Sequence, residues 1–313
     1  MVAQSPFACN ELESEKGMDS KLGGRDSEDV PANDSGKVTG GKEGKDLRKM
    51  QRFTTLFSMV HYAVLGSGSN GNSYVISDGE SALLVDQGFS LAELKRRLEQ
   101  CDIPFSSIVG CAVTHLHPDH VRGVGTFARK TGLPVWLNHA MVEKEPVVFQ
   151  RLGLPEQSIC LVRTEEPFQV GPFRLTCMPT SHDSGGSVCW KIEVAGKLLM
   201  ILTDTGVTSD PQLACAHLAD VLFLEANYDE RMLETGPYPR YLKLRISGNW
   251  GHLSNSEALA FLARSGFHGE RVFFIHLSDT NNNPGLLYAQ ASGVYQGPFT
   301  VCEKGKRYEG RLA

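Results

Sequence analysis

The feature that most constrains this chain is a cluster of metal-ligand side chains directly after an apolar run. Residues 108–114 predict a buried strand, and the segment Thr114-His115-Leu116-His117-Pro118-Asp119-His120 closes it. Residues two apart in an extended chain share a face, so His115 and His117 can present their imidazoles to one metal ion. Histidine and aspartate are costly to bury unless they are paired or metal-bound. The segment therefore predicts a metal site at a strand end.

Further ligand-type residues follow along the chain. Asp119 and His120 come after the turn-forming Pro118 and can point to a second position beside the first. Three more such residues each end a strand-like run: His182, Asp204 and His276. Strand ends are where folds of alternating strands and helices expose their chemistry. Each of the three alone is as well explained as an ordinary polar residue, but together with the first cluster they complete a ligand set.

This ligand set indicates hydrolysis. Two divalent ions about 4 Å apart can share a water whose pKa falls to about 7, which supplies hydroxide at neutral pH, and both ions can stabilise charge on the attacked oxygen. The mixture of imidazole and carboxylate suits zinc, and manganese or iron remains compatible with it. The cofactor prediction is therefore two divalent metal ions, with zinc favoured.

The His-x-His-x-Asp-His motif at 115–120 resembles the first signature of the metallo-β-lactamase-fold hydrolases, and the resemblance covers nearly all of residues 60–313. It implies an α+β fold, the four-layer αβ/βα sandwich, with the site at one edge between two facing sheets. It also implies one metal on His115, His117 and His182, a second on Asp119, His120 and His276, and Asp204 as the carboxylate that bridges both. Asp86 matches a strand-end acid that braces the metal loop, although an ordinary turn aspartate explains it as well.

Four longer segments narrow the resemblance to the YycJ (WalJ, VicX) branch of that fold. They are residues 65–73, 224–229, 236–255 and 276–284. This branch is associated with 5′ to 3′ exonucleolytic degradation of DNA, so the resemblance implies DNA as the substrate and a metal-bridged hydroxide as the nucleophile. The loop 278–283 departs from the branch's usual pattern, so the surroundings of His276 are less well predicted.

The resemblance also assigns an acid for the leaving group. It implies that Glu225 orients and charge-stabilises His252, and that His252 protonates the departing 3′-oxygen; Asp119 completes the predicted catalytic residues. An alkoxide is a poor leaving group, and a positioned acid contributes about 10² to 10⁴-fold to the rate. The alternative is that His252 merely caps the following helix.

Substrate contacts are predicted outside the ligand set. Lys243 and Arg245 alternate with apolar residues on a predicted strand, so both would face one side and could meet phosphates, although a solvated strand face explains them almost as well. The glycine-rich loop 66–71 lacks the Gly-Lys-Ser/Thr ending of a phosphate loop and precedes a strand. It predicts a tight turn bordering the site, with Asn70 or Asn72 reaching substrate.

Composition limits the classes of protein that remain. The net charge of −5 and the 41% hydrophobic content exclude a strongly basic nucleic-acid coating protein and a fully disordered chain, so any nucleic-acid affinity must be local. The eight cysteines contain no C-x-x-C pair and predict reduced thiols. No run is long enough to span a bilayer and no signal peptide is evident, which predicts a cytoplasmic protein without membrane contact.

The chain divides into two parts by composition. Residues 1–58 lack apolar periodicity and predict a disordered extension. Met59 stands directly before the first predicted strand, which gives the alternative hypothesis that translation begins there. Residues 59–313 predict one metallo-β-lactamase-fold domain. Strands are predicted at 60–65, 73–77, 82–85, 108–114, 135–138, 173–178, 187–194, 198–203, 221–224 and 271–276, and helices at 91–100, after His120, at 211–219 and at 256–265.

Three functions compete on these grounds. The first is a dinuclear-metal phosphodiesterase, which the resemblance above specifies as a 5′ to 3′ DNA exonuclease. The second is a small-molecule thioester or lactone hydrolase on the same fold; thioester hydrolysis has no need of an acid at His252. The third is a non-catalytic binding module, which the complete ligand set argues against.

Overall fold

Two seven-stranded sheets pack against each other in the computed structural model, which describes residues 59–313. The strands are β1 (Val60–Gly66), β2 (Ser73–Ser77), β3 (Ala82–Val85), β4 (Ile108–Ala112), β5 (Val135–Asn138), β6 (Ile159–Val162), β7 (Phe168–Val170), β8 (Phe173–Pro179), β9 (Val188–Val194), β10 (Lys197–Leu202), β11 (Val221–Glu225), β12 (Arg271–Ile275), β13 (Phe299–Val301) and β14 (Tyr308–Leu312). The first sheet has the order β14-β1-β2-β3-β4-β5-β6, and the second has the order β13-β12-β11-β10-β9-β8-β7.

Helices connect the parallel strands of both sheets, as parallel pairing requires. They are α1 (Leu91–Glu99), α2 (Pro118–Val121), α3 (Val124–Thr131), α4 (His139–Lys144), α5 (Pro146–Leu152), α6 (Asp210–Leu218), α7 (Glu230–Thr235), α8 (Arg240–Ile246), α9 (Asn255–Ser265) and α10 (Pro284–Val294). In the first sheet β3 to β6 run parallel, and in the second β10 to β13 do. The carboxyl ends of parallel strands meet at one edge of a sheet, so residues that follow β3, β4, β10, β11 and β12 can gather there.

The local sequence explains these elements. Strands β3 and β11 are apolar along almost their whole length and buried at every position, as expected for strands covered on both faces. Helix α1 begins at Ser90, whose side chain accepts a hydrogen bond from the Glu93 amide, and it buries Leu94 and Leu98. Helix α9 begins with a capping box in which Ser254 and Glu257 satisfy each other's backbone amides.

Aromatic side chains join the two sheets at the centre of the core. Phe223 on β11 and Phe273 on β12 stack with ring centroids 5.2 Å apart. Tyr62 on β1 meets both rings edge-on at 6.0 and 5.8 Å, and Tyr74 on β2 meets Phe223 at 5.8 Å. All four side chains are at most 2% exposed. This cluster therefore holds the first sheet against the second below the edge where the polar residues gather.

The predicted α+β class, with two facing sheets and helices outside them, is confirmed. The predicted strand at 108–114 is shorter than expected, because β4 ends at Ala112. Strands β6, β7, β13 and β14 were not predicted, and they are short and only partly buried, so their sequences lack a clear apolar alternation.

The predicted strand around Lys243 and Arg245 is wrong, because both residues lie on helix α8. Leu242 and Ile246, which are four residues apart, are half-buried, whereas Leu244 between them is 61% exposed. That spacing is the helical one. Lysine, arginine and leucine are good helix formers, and seven residues are too few for an alternating pattern to distinguish the two structures.

The described residues include no helix with the length and apolar character needed to cross a membrane. The prediction of a disordered extension at 1–58, and of a start at Met59, lies outside the described residues and stays a prediction.

Removal of the central ring of the aromatic cluster should weaken the contact between the sheets. We expect Phe223→Ala to lower the free energy of unfolding by about 3 to 5 kcal/mol, because a large buried ring is replaced by a cavity. Denaturant unfolding followed by circular dichroism measures this change. The control is Tyr241→Ala, which removes a ring that is 74% exposed and should shift stability by no more than about 0.5 kcal/mol. Equal effects of the two substitutions would contradict the role given to the cluster.

Candidate metal centre

The ligand-type residues predicted from the sequence meet at one edge of the sandwich. The first sheet supplies His115, His117, Asp119 and His120 after β4. The second sheet supplies His182 between β8 and β9, Asp204 after β10 and His276 after β12. These residues form groups of three or four that could hold an ion, and within each group the ligand atoms lie within 4.8 Å of one another. The site therefore lies across the junction of the two sheets.

His115, His117 and His182 form the first group. His182 Nδ1 donates to the Gly251 carbonyl at 2.9 Å, which leaves its Nε2 as a lone pair, and this atom lies 3.2 Å from His117 Nδ1. The His182 Nε2 lone pair can accept either a proton from His117 Nδ1 or a cation that lies between the two rings. The group can therefore bind a positive ion.

A hydrogen-bond chain fixes the tautomer of His115. Thr114 Oγ1 donates its proton to Asp86 Oδ2 at 2.7 Å. The hydroxyl oxygen of Thr114 can then accept a hydrogen bond from His115 Nδ1 at 3.0 Å. His115 Nε2 then carries the lone pair, and it is buried without any hydrogen-bond partner in the part of the chain described here. Burial lowers the pKa of His115 well below its usual value, which favours the neutral, ligating form.

Asp119, His120 and His276 form the second group. Asp119 Oδ2 lies 3.5 Å from His120 Nε2 and 3.6 Å from His276 Nε2. Burial opposes ionisation of Asp119, but the hydrogen bond from His276 and the charge of His120 lower its pKa to about 2. Asp86 Oδ2 accepts from His120 Nδ1 at 2.7 Å, so the lone pair of His120 faces the site.

Asp204 contacts both groups. Its Oδ1 lies 3.5 Å from His182 Nε2 and its Oδ2 lies 3.4 Å from His120 Nε2. The side chain is almost fully buried. Burial alone would raise the pKa of Asp204, but the surrounding histidines, His276 first, hold it well below the usual range. This carboxylate is placed between the two groups.

The residues present fit divalent metal ions. The buried Nε2 of His115 has no hydrogen-bond partner among the described residues, and the nitrogens of His117 and His182 lie close enough to bind one cation together. The Asp204 carboxylate, which contacts histidines of both groups, adds negative charge between them. Imidazole and carboxylate together are the ligands that zinc and similar ions take in proteins.

Glu225 and His252 form a pair beside these groups. His252 Nδ1 donates to Glu225 Oε1 at 2.7 Å, and Glu225 Oε2 accepts from the Thr205 and Leu253 amides at 3.0 and 3.2 Å. Burial would raise the pKa of Glu225, but the charge of His252 and its hydrogen bond lower it. His252 Nε2 makes no hydrogen bond to the described residues, and its side chain is 19% exposed. Ser254 caps helix α9, so the alternative role of His252 as that helix cap is wrong.

Three site residues have left-handed backbone conformations. Asp86, Asp204 and His276 have φ values of 58°, 52° and 59°, and each follows the end of a strand. Residues other than glycine rarely adopt this conformation, and it recurs at functional sites. At His276 the backbone amide is held by Ser67 Oγ at 2.6 Å. The turns aim these side chains into the site, and no sequence signal announced them.

The sequence reasoning missed two contacts of the site. Asn72 is buried, with Nδ2 3.0 Å from Asp119 Oδ2 and 2.9 Å from His120 Nε2, so it supports the second group rather than a substrate. Asp183 Oδ1 lies 3.5 Å from both His117 Nε2 and His182 Nε2. Its position directly after His182 was the only available signal.

The predicted substrate contacts do not all gather at the site. Asn70 is exposed at the tip of its loop. Lys243 Nζ donates to the Glu234 carbonyl at 2.6 Å, and Arg245 forms an ion pair with Asp183, which ties helix α8 to the residue beside His117. Arg245 is therefore near the ligand groups, and Lys243 lies farther along the same helix.

Comparison with known proteins agrees with this geometry. Residues 82–277 match the family described as the beta-lactamase superfamily domain. The chain is 30% identical over 238 residues to exodeoxyribonuclease YycJ of Bacillus anthracis, which covers 76% of this chain and 89% of YycJ. It is 31% identical over 231 residues to exodeoxyribonuclease WalJ of Streptococcus pneumoniae, which covers 71% and 82%. The metallo-β-lactamase fold protein YhfI of Bacillus subtilis superposes with a TM-score of 0.61 at 21% identity, over 80% of this chain and 99% of YhfI.

The fold and the gathered ligand residues thus define a member of the beta-lactamase superfamily, with the metallo-β-lactamase sandwich. Within that superfamily the chain belongs to the family of the YycJ and WalJ proteins, as the sequence resemblance predicted. The prediction that the site binds divalent metal ions is supported by the same findings.

Loss of one ligand residue should lower the metal content and remove the stabilisation that the metal gives. We expect His117→Ala to bind less metal than the unaltered protein, and EDTA to lower the melting temperature of the unaltered protein far more than that of the variant. A ligand at 100 times its dissociation constant stabilises by about 2.7 kcal/mol. Elemental analysis and thermal unfolding with and without EDTA measure both effects.

The control is His139→Ala, which removes an exposed imidazole that contacts only Glu143 on its own helix. It should keep the full metal content and the full response to EDTA. A His117→Ala protein with unchanged metal content would contradict the assignment of this residue.

Proposed function

We propose that this protein is a metal-dependent nuclease that degrades DNA from the 5′ end. The YycJ and WalJ relatives are exodeoxyribonucleases by name, and the chain covers more than four fifths of each of them. The observation that carries the proposal is the Glu225–His252 pair, joined at 2.7 Å beside the ligand groups. A proton donor at this place suits a reaction whose leaving group is a poor one, such as the 3′-oxygen of a phosphodiester.

We assign two divalent ions, zinc foremost, to the ligand groups. His115, His117 and His182 would hold one ion and Asp119, His120 and His276 the other, with Asp204 shared between them. When bound, such a pair supplies a strongly activated water and positive charge for the phosphate oxygens. The fixed tautomers of His115 and His120, both set through Asp86, support this assignment because they leave lone pairs facing the site.

Glu225 and His252 would then manage the leaving group. The Glu225 carboxylate accepts from two backbone amides and keeps a lowered pKa, so it stays ionised and stabilises the protonated imidazole of His252. As water adds to phosphorus and the bond from phosphorus to the 3′-oxygen breaks, the proton on His252 Nε2 passes to that oxygen. The products are a 3′-hydroxyl end and a 5′-phosphate end. Asp119 belongs to the second ligand group, with His120 and His276, and would help to orient the attacking water.

The alternative of a thioester or lactone hydrolase receives less support. A thioester releases a thiolate, which leaves without a proton donor at the place of His252, so the Glu225–His252 pair favours the nuclease over a thioester hydrolase. The relatives named as exodeoxyribonucleases also favour the nuclease.

We also propose a cytoplasmic setting. Cys101, Cys111, Cys177, Cys189, Cys215 and Cys302 are buried free thiols. Burial raises their pKa values, that of Cys215 to about 11, so they are unreactive core residues. Free thiols of this kind are typical of a reducing compartment.

The role of His252 as the acid predicts a dependence on the leaving group. We expect His252→Ala to slow hydrolysis of DNA by about 10² to 10⁴-fold, because the 3′-oxygen must leave without its proton. The same variant should slow hydrolysis of bis(p-nitrophenyl) phosphate much less, because nitrophenolate leaves as a stable anion. Steady-state rates on both substrates, with metal content measured in parallel, test this. Equal losses on both substrates at full metal content would assign His252 to substrate binding instead.

The proposed polarity predicts the first product. On a duplex labelled separately at its 5′ and 3′ ends, the metal-loaded protein should release the 5′ label at once as a mononucleotide, and the 3′ label only late. His117→Ala should release neither, and His139→Ala should behave as the unaltered protein. Early release of the 3′ label would reverse the polarity, and release of labelled fragments of many lengths would indicate an endonuclease.

A further inference from the structure

Exposed apolar side chains gather in the segment that carries helix α8. Tyr241, Leu244 and Trp250 are 74%, 61% and 64% exposed, and they lie within ten residues of one another. No residue of α8 is buried. Large exposed apolar side chains that cluster in this way mark a binding surface more often than a free surface. The requirements of the core do not explain the segment, so its side chains are available for a ligand.

The segment is fixed at the rim of the metal centre. Ser181 Oγ donates to the Asn249 carbonyl at 2.6 Å, and the Gly251 carbonyl accepts from His182 Nδ1 at 2.9 Å. Gly206, two residues after Asp204, approaches Gly248 and Asn249 so closely that a Cβ there would clash with their backbone. Trp250 therefore stands on a rigid turn, two residues before His252.

Trp250 borders a cavity of about 400 Å³ beside the site. Its other walls include Thr180, Ser181, Val207 and Thr208, and Ser181 directly precedes His182. Cavities that bind small ligand groups have volumes of about 300 to 1,000 Å³. The Trp250 side chain, apolar Val207 and several hydroxyl-bearing residues form surroundings that suit a flat, polar-edged aromatic ring.

The charge of this segment favours a polyanion. The 17 residues 236–252 contain three basic side chains and no aspartate or glutamate, in a chain whose net charge is −5. Arg245 is paired with Asp183, whereas Lys243 donates to the Glu234 carbonyl and makes no ion pair with the described residues. Arg240 makes no ion pair with the described residues and is exposed. Phosphates that pass over α8 would meet local positive charge despite the acidic composition.

We propose that Trp250 is a base-stacking residue that receives an unpaired nucleobase next to the scissile phosphate. This proposal rests on the proposed nuclease function and adds the form of its substrate, a single-stranded or frayed end. Stacking on an aromatic ring accepts any base because every base has a π face, and a basic surface beside it holds the backbone. Bases inside an intact duplex are stacked on both faces and only the outer face of the terminal pair is free, so an unpaired base reaches Trp250 more readily.

The other tryptophans provide a direct readout. The chain has three tryptophans, and Trp136 and Trp190 are 4% and 0% exposed, which leaves Trp250 as the accessible one. Binding of a thymidine oligonucleotide should therefore quench tryptophan fluorescence through Trp250. The experiment uses the full-length, metal-loaded protein with a phosphorothioate oligothymidylate that resists hydrolysis. The comparison is a blunt-ended hairpin duplex with phosphorothioate linkages, whose loop is a linker without bases.

We expect quenching by the single strand and little by the hairpin. Anisotropy of a labelled oligonucleotide should show that Trp250→Ala weakens single-strand binding by about 5- to 150-fold, the loss typical of one stacked base. Trp250→Phe should lose the quenching but retain most of the affinity. The matched control is Leu218→Ala, which removes an apolar side chain that is 66% exposed on helix α6, outside the 236–252 segment, and should bind as the unaltered protein does.

The outcomes separate this proposal from the proposed function. Unquenched fluorescence, or equal affinity of Trp250→Ala and Leu218→Ala, in a protein that still degrades DNA would overturn the stacking site alone. Equal quenching by the single strand and the hairpin would overturn its preference for unpaired bases. Quenching that depends on Trp250, in a protein that hydrolyses no DNA, would support the stacking site and overturn the nuclease.

Discussion

Convergence of buried imidazole and carboxylate groups at the junction of two sheets is the constraint on which this structure depends. Such groups are unstable in a protein interior unless each finds a partner of complementary charge. Their partners here come from both sheets, because Asp204 of the second sheet contacts His120 of the first, and His182 of the second contacts His117 of the first. Packing of the sheets therefore also assembles the site. The apolar core brings the strand ends together, and a cation would stabilise the polar groups that are buried there.

One carboxylate contacts both His252 and a histidine of the second ligand group. Glu225 Oε1 contacts His252 Nδ1 at 2.7 Å and also His276 Nδ1 at 3.0 Å. A change in the charge near His276 is therefore felt by the same oxygen that orients His252. The position of Glu225 at the end of β11, between β10 and β12, makes this possible, since its neighbours in the sheet end in Asp204 and His276. The order of the parallel strands thus places Glu225 between Asp204 and His276.

The sequence predicted the central strands and the residues that gather at the site, because both depend on signals that are local in the chain. Apolar runs such as β3 and β11 are buried on both faces, and the segment from His115 to His120 is dense in ligand groups. Helix α8 was mistaken for a strand, because Leu242, Leu244 and Ile246 alternate in the chain and only packing shows that Leu244 faces solvent. The contacts of Asn72 and Asp183 depend on segments far apart in sequence, so no local pattern could place them.

The left-handed turns at Asp86, Asp204 and His276 have an energetic meaning beyond their geometry. A residue with a side chain loses about 1 to 3 kcal/mol in such a conformation, so the three turns together draw on a stability that is small in any domain. Glycine would relieve each turn but would remove the group that the turn presents. Selection for stability alone would therefore favour glycine at these three positions. A carboxylate or an imidazole at each turn is therefore a sacrifice of stability in exchange for a group that can do chemistry.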